Sequence, residues 1–310
     1  MKHLELSRKY FENFGKPLIE KGFPQLADRY AAGLVGQGSG CFGFDDEYSK
    51  DHDFAPGFCI WLTDSDYEEY GEQLQQAYDY LPVEFEGYSK NNIVDDTRLG
   101  VMKISDFYGS FTGCTDIPET NFDWFLISEN NLATATNGEV FVDKLGEFTR
   151  IREGLKKGYP KDVLYKKLAA RACIISQAGQ YNYQRCLKRS DKFTAALAAA
   201  RFAEAVLSML YLLFGGAAPF YKWMYKGLDF ATGNEDVEKL LTSLKALMVH
   251  APGAEGMIHI ESVTSHLIKI MTEKLDLQFA GYFLQDYVDQ LMSRIEDPEL
   301  KIMHPMADCI

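Results

Sequence analysis

Several signatures that would assign a function at a glance are missing from this chain. Its six cysteines (positions 41, 59, 114, 173, 186 and 309) form no CxxC pair and no zinc-ligand spacing, so reduced thiols in a cytosolic protein are expected. The six histidines give no ligand pair on one helical face, since His259 and His266 are seven residues apart, as on a helix surface. The most apolar stretch, Ala195 to Ala218, is broken by Arg201 and Glu204 and reads as a buried core helix rather than a membrane span. The opening residues MKHLELSRKYFENFGK lack the apolar segment of a secretory signal, which again predicts a cytoplasmic protein. No internal repeat or low-complexity segment is visible.

Basic charge is scarce. A formal net charge of −13 argues against non-specific binding to nucleic acid or to an anionic membrane. The deficit is uneven. Residues 1–150 carry 12 Lys/Arg against 27 Asp/Glu, residues 151–226 carry 14 against 4, and residues 227–310 carry 6 against 14. A basic middle beside an acidic first half suits either two attracting surfaces or a clamp on a metal-bound polyphosphate.

What is present is an ordinary folded composition, 46% hydrophobic with 18 Tyr and 21 Phe, over 310 residues. That length accommodates one large domain or two ordinary ones. Apolar spacing predicts helices over 4–22 and 24–32, a buried strand within 53–62, a helix over 64–81 and a strand over 100–104. Pro56-Gly57 predicts a bulge or edge in the first of those strands. From GEVFVDKLGEFTRIREGLKKGYP onward the pattern reads as helix alone, roughly 160–182, 190–214, 219–230, 235–250, 258–275 and 278–295, a bundle signature. The expected division is 1–150, an α+β domain with a mixed sheet, and 151–310, an all-α helical bundle.

The chemistry-bearing feature is Asp51-His52-Asp53, about a dozen residues after Gly38-Ser39. Alternate residues of an extended strand share a face, so Asp51 and Asp53 can aim at one spot, with His52 opposite in a structural role. Two carboxylates there repel unless a cation joins them, and a hard cation such as Mg²⁺ or Mn²⁺ keeps positions open for phosphate oxygens. A glycine followed by a serine offers backbone N–H groups and a hydroxyl to an anion. Between the two lies another acidic cluster, Asp45-Asp46-Glu47, whose charge asks for solvent or metal.

The string GSGCFGFDDEYSKDHDF resembles the nucleotidyltransferase-fold motif of polymerase-beta-like and aminoglycoside nucleotidyltransferases. It is more closely similar to a bacterial group of nucleotidyltransferase-like proteins classed as a domain of unknown function, marked by GFDDE-S-DHDF. The likeness extends through NGEVFVDKLGEFTRIREGL, YPKDVLYKKLAAR, GQYNYQRCLKR and PFYKWMYKGL. It implies a nucleotidyltransferase-like sheet domain followed by a helical bundle, with nucleotide in a cleft between them. It also implies nucleotide phosphates at Gly38 and Ser39, metal at Asp51 and Asp53, and a phosphate-proximal Ser49. Arg185, Arg189 and Lys222 are candidate phosphate contacts, and Tyr181 and Trp223 candidate base stackers. Two departures stand out. Gly40 occupies a position where close relatives carry glutamate, and the strand GVMKI bears no third acid, leaving Asp106, Asp123, Asp143 or Glu147 to complete a metal site.

The expectation is therefore a Mg²⁺-dependent transfer of a nucleoside monophosphate, AMP from ATP foremost, to an acceptor hydroxyl on a small molecule or protein. A cationic acceptor suits the acidic surroundings. The alternatives are a catalytically idle nucleotide-binding regulator of the same fold and a partner-binding module.

Overall fold

The computed structural model describes residues 1–50, 54–92, 98–228 and 233–308. The fold is mixed α/β and divides into two compact units, Met1–Pro118 with Asn131–Lys157, and Glu119–Asn130 with Gly158–Ile310.

The first unit is built on a four-stranded mixed sheet. Its strands are β1 (Ala31–Leu34), β2 (Cys59–Leu62), β3 (Gly100–Lys103) and β4 (Glu139–Asp143), in the order β3-β2-β1-β4. β1 runs antiparallel to both neighbours, and β2 runs parallel to β3. The two central strands, AAGL and CIWL, are buried at every residue, whereas β4 is half-buried throughout, as an edge strand should be. The main helices of this unit are α1 (His3–Tyr10), which runs through a π turn into Lys16–Gly22, α2 (Asp64–Asp79), α3 (Ile104–Thr112) and α4 (Glu147–Lys156).

Alternation along the strands sends side chains to two faces. Ala32, Ile60, Leu62 and Val101 meet Tyr10, Phe11 and Ile19 from the first helical segment and Leu74 and Tyr78 from α2. On the other face Trp61 stacks on Phe148 of α4 at 3.9 Å between ring centroids and meets Phe107 of α3 edge-on at 5.4 Å. Such aromatic pairs add about 0.5–1.5 kcal/mol each beyond their buried area.

The second unit is helical. Its main helices are α5 (Lys161–Ile175), α6 (Lys192–Leu213), α7 (Glu235–His250) and α8 (Gly256–Leu275). α5 is buried on nearly all sides from Val163 to Ile175, even at Lys166, Lys167 and Arg171, so it forms the axis of the unit. α6 packs along it, and α7 pairs with α8. By length and composition α6 could cross a bilayer, yet 61% of its most apolar window is buried within the structure.

Several predicted elements change character. The predicted helix over 24–32 is a single 3-10 turn, Pro24–Leu26, followed by β1. The strand within 53–62 begins only at Cys59, because Pro56 lacks the N–H that a ladder needs. GEVFVD, read as the approach to a helix, is the edge strand β4. The helix over 160–182 turns into a π segment at Ser176–Tyr183, and among the described residues that over 219–230 contains only the turn Tyr221–Met224 as α-helix.

Candidate functional site

The register of the sheet fixes where the motif loop lies. Gly33 pairs with Cys59 and Ala31 with Trp61, so the chain leaves β1 at the end of the sheet where β2 begins. Residues 35–58 are one connection that departs and returns at that end. Gly100 pairs with Cys59, and Glu139 with Leu34, which brings the starts of β3 and β4 to the same end. Lys103 pairs with Leu62, and Asp143 with Ala31, at the far end.

The first half of this loop is tightly held. Asn137 grips Gly36 in both directions: its Nδ2 donates to the Gly36 carbonyl at 2.7 Å, and Gly36 N–H donates to its Oδ1 at 2.9 Å. A turn follows in which Gly43 N–H donates to Gly40 O and Phe44 N–H to Ser39 O, at 3.0 and 2.9 Å. Gly38 sits at φ +110, a conformation that only glycine adopts without strain. Among the described residues, the N–H groups of Gly38 and Ser39 donate to no acceptor. Gly38 is exposed and Ser39 half-buried, so this turn can offer both amides and a hydroxyl to an anion.

The departure at Gly40 has a steric cause. A Cβ there would come within 2.3 Å of the His3 ring. His3 is fixed in turn, its Nε2 lying 3.0 Å from Ala55 O and its ring against Phe54 at 4.9 Å. The start of α1 therefore packs where a longer side chain at position 40 would go.

The acidic cluster of the loop is largely engaged in structure. Asp45 has a buried side chain whose Oδ2 accepts the His3 N–H at 3.2 Å, capping α1 from a distance. Its Oδ1 accepts no hydrogen bond among the described residues and faces Lys2 Nζ at 3.6 Å. Asp46 Oδ1 accepts from Tyr48 N–H and Ser49 N–H, both at 3.1 Å, and from the Ser49 hydroxyl at 2.9 Å. Asp46 and Glu47 are exposed, so solvent, backbone amides and Lys2 together offset the charge of this cluster.

Burial pushes the Cys41 thiol up to about 12 and raises Cys59 as well. Their Sγ atoms donate to Gln37 O and Arg98 O. Burial thus favours the neutral thiol at both positions.

The predicted site residues distribute as follows. Asp51 and Asp53, with His52 between them, lie outside the described residues. Gly38, Ser39 and Ser49 all belong to the 35–58 connection of the first unit, with the Ser49 hydroxyl turned to Asp46. Arg185, Arg189 and Lys222 belong to the second unit and are exposed. Arg185 bonds the Tyr181 hydroxyl at 2.6 Å and stacks on its ring, and Lys222 lies over Trp223 at 5.0 Å.

Three of the four acids weighed as a third ligand have other partners, and the fourth, Asp106, lies away from the motif end. Asp143 accepts Gly146 N–H at 2.9 Å and Thr149 N–H at 2.8 Å, holding the start of α4. Asp106 lies in the first turn of α3, beyond the far end of β3. Asp123 forms a capping box with Thr120, and Glu147 pairs with Arg150. Sequence reasoning passed over Glu139, the carboxylate that opens β4 at the motif end of the sheet, where it pairs with Arg8. Recognising GEVFV as a strand would have drawn attention to it. Among the described residues no three His, Cys, Asp or Glu side chains gather as a metal site. The Asp51/Asp53 pair is outside that set.

A family model described as Domain of unknown function (DUF4037) matches residues 124–224. The chain is similar to that family there. The matched span contains β4 and α4 to α6 and leaves out the 35–58 connection. No curated protein and no solved structure matches the chain.

Proposed function

We propose that this protein is a nucleotidyltransferase-like enzyme that moves a nucleoside monophosphate, AMP from ATP foremost, to an acceptor hydroxyl with Mg²⁺ or Mn²⁺. The observation that carries this reading is the single connection between antiparallel strands β1 and β2. It carries, near its start, a glycine-serine turn whose amides have no acceptor among the described residues and, later in its sequence, Asp51-His52-Asp53. In the proposed reaction Asp51 and Asp53 hold the metal, and the Gly38-Ser39 turn receives phosphate oxygens. The acceptor oxygen bonds to the α-phosphorus as the bond to the β-phosphate bridge breaks and pyrophosphate leaves. The metal that Asp51 and Asp53 would hold would supply positive charge beside the phosphates, and the Gly38 and Ser39 amides would donate to their oxygens. Ser49, on the same connection, is the further candidate for phosphate contact within this unit. Glu139, at the motif end of the sheet, is the candidate third acid and receiver of the acceptor proton.

A second reading has a specific observation behind it. Glu139 is engaged by Arg8, and Asp106 and Asp143 belong to the far end of the sheet. A chain lacking a third acid would bind a nucleotide and metal as a regulator without turnover.

Calorimetric titration with ATP, with and without Mg²⁺, combined with a pyrophosphate-release assay over an acceptor panel, tests both. Metal-dependent ATP binding that disappears in Asp51→Ala and in Asp53→Ala, together with acceptor-dependent pyrophosphate release, is the expected result. Binding without release would favour the regulator. No ATP binding by the native chain would overturn both readings.

A further inference from the structure

A second charged centre lies wholly within the helical unit. Lys166, Lys167 and Arg171 are buried on α5, with no exposed surface at either lysine. Placing three cations in an apolar interior is costly unless each is matched. Arg171 is held on one side by Glu129, whose Oε1 accepts from its Nη2 at 2.7 Å, and by Ser208, which accepts from its Nε. Glu129 Oε2 also accepts the Ala218 N–H at 3.1 Å. Lys167 is framed by the rings of Tyr159 and Phe125, with its Nζ 4.7 and 5.7 Å from their centroids. The two cations are therefore positioned by their own surroundings.

What fills the space between them is Asp308. One carboxylate oxygen accepts from Lys167 Nζ at 2.7 Å and the other from Arg171 Nη1 at 2.6 Å, with no side-chain surface exposed. Asp308 arrives on the segment His304–Asp308, which is neither helix nor strand. The segment is fastened mainly by polar contacts: Lys166 Nζ donates to the carbonyls of His304, Pro305 and Ala307 at 2.9, 3.0 and 2.7 Å. The cradle residues Phe125, Glu129, Tyr159, Lys167, Arg171 and Ser208 all fall within the family match at 124–224, whereas the anion comes from outside it.

We propose that Lys167 and Arg171 form a phosphate-binding site in which the Asp308 carboxylate is a built-in occupant, so that the 304–308 strap and a phosphate-bearing ligand exclude each other. Two oxygens on one carbon, each on a separate cation, reproduce the contacts that two phosphate oxygens would make. With the strap withdrawn the centre keeps three cations against Glu129 alone, a surplus that a dianionic phosphate group would match. The proposal is independent of the nucleotidyltransferase reading, since it involves neither the motif loop nor turnover.

The test is thermal unfolding of the full chain in inorganic phosphate against chloride at matched ionic strength, for the native protein and for Asp308→Ala. In chloride, Asp308→Ala should melt lower than the native chain. Phosphate should raise its midpoint saturably, with an apparent affinity at least about 10-fold tighter than in the native chain, where the strap competes. Adding Lys167→Gln to Asp308→Ala should remove the response. Should Asp308→Ala be insoluble, Asp308→Asn serves for the same comparison. A midpoint lowered by the substitution and indifferent to phosphate would make Asp308 a plain structural clasp and overturn the proposal. Equal phosphate responses in native and variant chains would overturn it as well.

Discussion

At the scale of single residues, the loop beside the sheet is decided by sterics as much as by charge. Gly38 supplies a backbone conformation, while Gly40 supplies room for His3. Gly40→Ala should therefore destabilise the protein by about 1–3 kcal/mol, the cost of overpacking a filled site. In a denaturation double-mutant cycle His3→Ala should recover part of that loss, and strict additivity of the two substitutions would show that the contact does not matter. The same residues show where one-dimensional reading stops. Gly38-Ser39 was legible because a glycine next to a hydroxyl has a local meaning. The capping of α1 by Asp45 joins residues 42 positions apart, and nothing in the spacing announces it.

At the scale of elements, CIWL and GVMK were legible as strands, whereas AAGL and EVFVD were not. CIWL is a continuous apolar run, but AAGL follows directly on a stretch with helical spacing, and EVFVD is half-buried, ends in a cap for α4 and merges into a helical pattern. In α5 the sequence LYKKLAARACII carries three cations inside an apolar stretch. Charge ordinarily marks a solvated face, so its burial was missed, yet cations amid residues otherwise suited to the interior are the one sequence sign of such a centre. The burial has a titration consequence. It pushes the Lys166 ammonium down to about 8, against about 10.4 in an unfolded chain. Below pH 8 both states bear the proton and the full cost of burying charge is present. Between the two values the unfolded chain binds more protons, so this group's penalty is relieved as pH rises, by at most about 3 kcal/mol. Chemical denaturation at pH 7.5 and pH 10 should show the native chain gaining stability relative to Lys166→Met at the higher pH. A difference independent of pH would contradict the assignment.

At the scale of the whole molecule, the sequence pointed to a mixed sheet followed by helices, and the structure is mixed α/β with a small four-stranded sheet and a separate helical unit. The compact units do not follow a single cut in the chain, since Glu119–Asn130 joins the helical unit and Asn131–Lys157 returns to the sheet. Within it Asp123 caps its own helix, Asn121 bonds Asp297 at 2.9 Å, and Glu129 serves Arg171. A segment between two periodic regions gives no local hint of which core it will join. The acidic excess of residues 1–150 and the basic excess of 151–226 remain features of the chain as a whole.

The central claim is that Asp51 and Asp53 bind a divalent ion together with nucleotide. Titration of Mn²⁺ into the native protein, followed by electron paramagnetic resonance of the free ion with and without ATP, tests it most directly. Protein and ATP together should sequester more Mn²⁺ than the two do separately, and Asp51→Ala and Asp53→Ala should each abolish the excess. An excess that survives in both variants, or none in the native protein, would contradict it.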